Sequence, residues 1–178
     1  MDFQQIPAGK APPWDINVVV EIPLRGDGVY APPVCHPGNF GFVPRTVMAD
    51  GEPCEVLVVG SVSVLPGAIL RSRPVGLVEL ADDEGGPDQT RLLAVPVQRM
   101  HPFFAGTTSL ESLPSALLEQ AEQFFIEMRD LLRPHSLRVV RWGGAEEAAE
   151  VLERALAAYR PDAEPARSLV REECRAGG

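Results

Sequence analysis

The chain has 178 residues, 45 % of them hydrophobic and 23 % charged, and a net charge of −9. That length and mixture suit one globular domain that buries a core without disulfide staples, and the negative charge argues against a nucleic-acid partner. No apolar run approaches the ~18 residues that a membrane-spanning helix needs, so no membrane partner is expected. The N-terminus lacks the apolar core of a secretion signal, and the three cysteines (Cys35, Cys54 and Cys174) lack metal-ligand spacing. A reducing cytoplasm is therefore the expected compartment.

Residues 1–16, with Pro7, Gly9, Pro12 and Pro13, read as an irregular lead-in. Residues 17–23 are a β-branched run closed by a proline, which predicts a strand. Glu21 is the only charge in it and points either to solvent or into a site. A polar connection with strong turn chemistry follows through Gly28 and Pro33. In residues 36–44 glycines alternate with aromatics between Pro37 and Pro44, suggesting backbone packed close against something. His36 reads as a structural or surface histidine, because no second His or Cys keeps metal spacing with it.

Asp50-Gly51-Glu52-Pro53-Cys54-Glu55 sets three carboxylates in six residues on a turn that runs into the apolar stretch 56–59. Two like charges ~4 Å apart repel by about 4 kcal/mol at an effective dielectric near 20, and a cation among them relieves the repulsion. Oxygen ligands suit Mg²⁺ first, then Mn²⁺ or Ca²⁺, although the alternating pattern of a Ca²⁺ loop is absent. A solvated acidic turn is the competing reading.

Residues 68–80 predict a strand with a bend or bulge at Pro74 and Gly76. An acidic connection follows, with Asp82, Asp83, Glu84 and Asp88, and then a strand over 91–97. Short strands at close spacing predict a small barrel or sandwich. From 113 to 132 the period changes: Leu117, Ala121, Phe124, Phe125, Met128, Leu131 and Leu132 form one helical stripe. A strand over 137–142 leads to a second helix over 145–159, with Glu146 and Glu147 favourable in its first turn. Residues 1–160 are expected to form a single domain, and 161–178 read as a tail without periodicity.

These pieces, in this order, resemble the soluble Mg²⁺-dependent inorganic pyrophosphatases. The resemblance covers roughly residues 6–159 and rests on PAGK, VVVEIP, HPGNFGFVP, DGEPCEVLV, PGAILRSRPVGLVEL, an acidic loop before RLLAVP, and the helix bearing Phe124 and Phe125. The family signature Asp-x-Asp-Pro-x-Asp is here Asp-x-Glu-Pro-x-Glu. The resemblance implies a mainly β fold, an OB-like five-stranded barrel flanked by two α-helices, assembled as a homo-oligomer, by family habit a hexamer.

It also implies a site. Asp50, Glu52 and Glu55 would form the metal cradle for Mg²⁺ (or Mn²⁺), with Asp83 (or Asp82) and Asp88 as further ligands. Glu52 falls where the family places the metal-binding acid that takes a proton from the attacking water. Glu21 would face the site, and Arg91 and Arg129 match lysines that hold phosphate. With Lys10 the only lysine among 16 basic residues, those exchanges follow the composition. The departures are a shortened segment between Glu21 and His36, two lost phenols at Phe40 and Met128, and two cradle aspartates lengthened to glutamate. The implied activity is hydrolysis of diphosphate to phosphate, weakened by the thinner phosphate side. The alternatives are an impaired protein that binds metal or assembles with partners, or a hydrolase of another phosphoanhydride.

Overall fold

The computed structural model describes residues 5–24, 37–60, 62–82, 89–97, 99, 102–132 and 137–161; at 82, 126–132 and 137 it describes the backbone alone. These residues form strands β1 (Gly9–Ala11), β2 (Asp15–Ile22), β3 (Gly38–Val43), β4 (Cys54–Val59), β5 (Ile69–Asp82), β6 (Gln89–Pro96) and β7 (Leu137–Gly144). Helices α1 (Ser115–Leu132) and α2 (Ala145–Ala158) flank β7 in the chain.

Five strands close into a ring in the order β2, β3, β4, β6, β5 and back to β2. Every pairing in the ring is antiparallel except β4 with β6. β1 extends the sheet beyond β2, and β7 pairs with β5. The expected five-stranded barrel is thus present as a closed ring of five strands, accompanied by two helices. No helix among the described residues is long and apolar enough to cross a membrane.

Alternation along the strands divides the core in two. Val56 and Val58 of β4, Leu92 and Ala94 of β6, and Ile16, Val18 and Val20 of β2 point into the ring, where α2 adds Ala148, Leu152 and Ala155. Leu57, Val59, Leu93 and Val95 point outward and meet Phe124 and Phe125 of α1. Full burial of each large apolar side chain contributes about 1.5–3 kcal/mol, so the two helices are held mainly by these contacts.

Both helices lie within two residues of their predicted bounds. The predicted irregularity at Pro74 and Gly76 is a register shift between β5 and β6. Two strands escaped the sequence pattern. The lead-in contains β1, and the glycine-aromatic stretch is β3, a strand disguised by its glycines, which disfavour strand in isolation. Close packing was the correct inference there. A Cβ on Gly38 would stand 2.1 Å from the Val58 carbonyl oxygen. His36 and the residues beyond Pro161 lie outside the described residues.

Candidate active site

The acidic turn is built by local hydrogen bonds. Gly51 N–H donates to the Met48 carbonyl at 3.0 Å and Met48 N–H to the Glu52 carbonyl at 2.8 Å. Gly51 sits at φ +86, a conformation that a residue with a Cβ rarely adopts. Asp50 Oδ1 accepts the Glu52 N–H at 3.0 Å, the side-chain turn typical of aspartate. Where the turn enters β4, the buried Thr46 hydroxyl accepts the Cys54 N–H at 2.9 Å and donates to the Val43 carbonyl at 2.6 Å. Thr46 therefore locks the turn onto the end of β3.

Glu55 follows on β4, opposite Phe42 of β3. The parallel ladder sets Val56 beside Leu92, which brings the preceding residue of each strand, Glu55 and Arg91, together. Arg91 Nε stands 2.5 Å from Glu55 Oε2, with the two side chains only 16 % and 15 % exposed. Its Nη2 also donates to Gln89 Oε1 at 2.7 Å. Glu55 Oε2 is itself buried and receives no aligned hydrogen bond, so it is held there by charge.

Glu21 reaches the same acids through a bulge. β2 pairs Val20 with Gly41 but Ile22 with Phe40, leaving Glu21 as the extra residue. Such a bulge re-aims a side chain. Burial pushes the Glu21 carboxyl up from its ordinary 4.5 to about 7, and the charges of Glu55 and then Glu52 push the same way. Glu21 is thus partly buried and lies in the field of Glu55 and Glu52. The exit of β2 is anchored by buried Asn39, whose Oδ1 accepts the Leu24 N–H at 2.9 Å and the Val64 N–H at 3.4 Å. Its Nδ2 donates to the Val62 carbonyl at 2.9 Å.

The structure therefore gathers Glu21, Glu52, Glu55 and Arg91, while Asp50 is engaged with its own turn. Among the described residues no three metal-ligating side chains converge on a single ion position. The connection that carries Asp83 and Asp88 lies outside the described residues; it joins Asp82, at the end of β5, to Gln89, two residues before Arg91. Arg129 and Met128 belong to the last turns of α1, with side chains outside the described residues. Phe40 is buried in the outer core, its ring 5.9 Å from that of Phe124.

The sequence reading missed Thr46 and Asn39. Neither titrates nor ligates, and only their burial with two or more hydrogen bonds marks them. A partly buried carboxyl whose proton affinity two neighbouring carboxylates raise suits a hard divalent cation, and oxygen donors are what Mg²⁺ prefers. The guanidinium against Glu55 is a cation already standing at that position.

Known proteins resemble this chain in sequence and in fold. The family model described as inorganic pyrophosphatase matches residues 10–160. The inorganic pyrophosphatase of Caulobacter vibrioides is 36 % identical over 175 residues, covering 89 % of this chain and 98 % of that protein. That of Pseudomonas aeruginosa is 36 % identical over 176 residues, covering 90 % and 99 %. The solved structure of the Coxiella burnetii inorganic pyrophosphatase superposes with a TM-score of 0.77 at 30 % identity, covering 87 % of this chain and all of that one. With a family match across most of its length and relatives this similar end to end, the chain belongs to the inorganic pyrophosphatase family.

Proposed function

We propose that the protein is a Mg²⁺-dependent diphosphatase that splits inorganic diphosphate into two phosphates. The observation that carries this reading is a largely enclosed Glu21 carboxyl in the field of Glu55 and Glu52, with Arg91 paired to Glu55. Asp50, Glu52 and Glu55, with Asp83 and Asp88 from the neighbouring connection, would hold the metal ions. Bound Mg²⁺ supplies charge neutralisation and lowers the pKa of water. Glu52 takes the proton of the attacking water, whose oxygen bonds to one phosphorus as the bridging P–O bond breaks. Arg91 and Arg129 grip the phosphate oxygens, and an arginine fork does this bidentately. Burial of Glu21 and Glu55 excludes bulk water and strengthens each of these interactions.

The retained acids argue against the non-catalytic alternative. The protein would act in the cytoplasm as a homo-oligomer, and exposed Trp14, Leu65 and Phe103 offer apolar surface for assembly. The deciding experiment is phosphate release from diphosphate by purified protein, with and without Mg²⁺. Release that requires Mg²⁺ and is lost in Glu52→Gln is expected. Mg²⁺-independent release, or none, would overturn the reading. Mg²⁺ should also raise the melting temperature of the wild type more than that of Glu52→Gln, because it binds only the native state.

A further inference from the structure

The contact between Arg91 and Glu55 carries a consequence for the order in which the site fills. Glu55 and Arg91 both carry long side chains, and the parallel β4–β6 ladder sets them side by side. They meet at 2.5 Å with little exposure, so water screens the pair poorly. Glu55 Oε2 has that charge contact in place of an aligned hydrogen bond. The guanidinium has a second resting place, because Nη2 already donates to Gln89 at the start of β6.

We propose that Arg91 is a built-in counter-cation for Glu55, which an arriving divalent ion must displace. Displacement releases the guanidinium, still tethered to Gln89, to grip the phosphate of the substrate. The metal-free chain is then stable without its metal, and metal binding and anion grip become one linked event. The same exchange weakens metal binding in the absence of substrate, because the ion competes with a tethered cation rather than with water. The inference rests on the diphosphatase reading for the identity of the anion, but the competition itself is a property of Arg91 and Glu55.

Mn²⁺ titration by calorimetry without substrate tests it, on wild type, Arg91→Gln and Arg91→Lys. Arg91→Gln should bind Mn²⁺ about tenfold more tightly, equivalent to about 1.4 kcal/mol. Arg91→Lys keeps the charge but not the planar fork, and should fall between. A second measurement is a cycle of Glu55→Gln, Arg91→Gln and the double variant unfolded in chelator. The double variant should lose less stability than the two single losses together, because a lone buried charge is worse than none. Should Arg91→Gln fail to fold, Arg91→Lys alone decides. Mn²⁺ affinity in Arg91→Lys equal to or weaker than wild type overturns the proposal, as does an additive cycle or a wild type that binds no Mn²⁺. Phosphate release reads the function separately. Release by wild type without tighter Mn²⁺ binding in the variants overturns this inference alone; the expected binding pattern without release supports it and overturns the diphosphatase reading.

Discussion

Gly41 lies so close to Val19 that a Cβ built on it would stand 1.9 Å from the Val19 carbonyl oxygen. The obstacle is backbone of the paired strand β2, which cannot rotate away as a side chain would. This contact holds β2 and β3 at the distance that lets the bulge at Glu21 form one residue further on. Gly41→Ala should therefore cost at least about 2 kcal/mol, at the upper end for an overpacked core. Urea unfolding would show it, and a midpoint unchanged from wild type would refute the contact.

Asn39 should behave as a three-way anchor. Its amide holds Leu24, Val62 and Val64 together, and alanine would leave those backbone groups without their partner. A loss of about 2–3 kcal/mol is expected on unfolding, from buried groups left unsatisfied. Faster hydrogen exchange at the Leu24 amide should accompany it. Exchange at wild-type rate in Asn39→Ala would contradict the assignment.

Thr46→Val keeps the shape of the side chain but removes the hydroxyl that receives the Cys54 N–H. The expected cost is about 1–3 kcal/mol, whereas Thr46→Ser should retain most of the stability. Because the acidic turn enters β4 through this bond, Mg²⁺ should also raise the melting temperature less in Thr46→Val. Equal stability of the valine and serine variants would rule out the clamp.

Glu21 makes the metal-free protein sensitive to pH. Its folded pKa of about 7 exceeds the ordinary 4.5, so the folded state holds more protons than the unfolded one between those values. Stability is then full below pH 4.5 and falls as pH rises through 7, by up to about 3 kcal/mol in total. Glu21→Gln should flatten that fall and be the more stable protein at pH 8 in chelator. Urea midpoints from pH 4.5 to 8 measure the slope, and an unaltered slope in Glu21→Gln would assign it to other groups.

Much of this architecture was legible in local patterns. The β-branched run of β2, the apolar stripe of α1 and the acids at the head of α2 each state their element within a few residues, because hydrophobic period and capping are local properties. The acidic turn was legible too, since Gly51 and Pro53 act on their immediate neighbours. β3 was not, because its glycines make sense only once Val19 and Val58 lie against them.

The site itself depended on strands far apart in the chain. No local signal tells whether Glu21 faces water or other acids; the register between β2 and β3 decides it by inserting one extra residue. Nor does spacing reveal that Glu55 and Arg91 meet, since the parallel pairing of β4 with β6 is a choice made by the closed ring. The sequence shows Asp50 as one of three neighbouring acids; that its Oδ1 also accepts the Glu52 N–H appears only in the folded turn. Residue types foretold the chemistry because charge and donor atoms belong to single residues. Their company had to come from folding, because pairing register, burial and mutual electrostatics exist only between segments that the chain brings together.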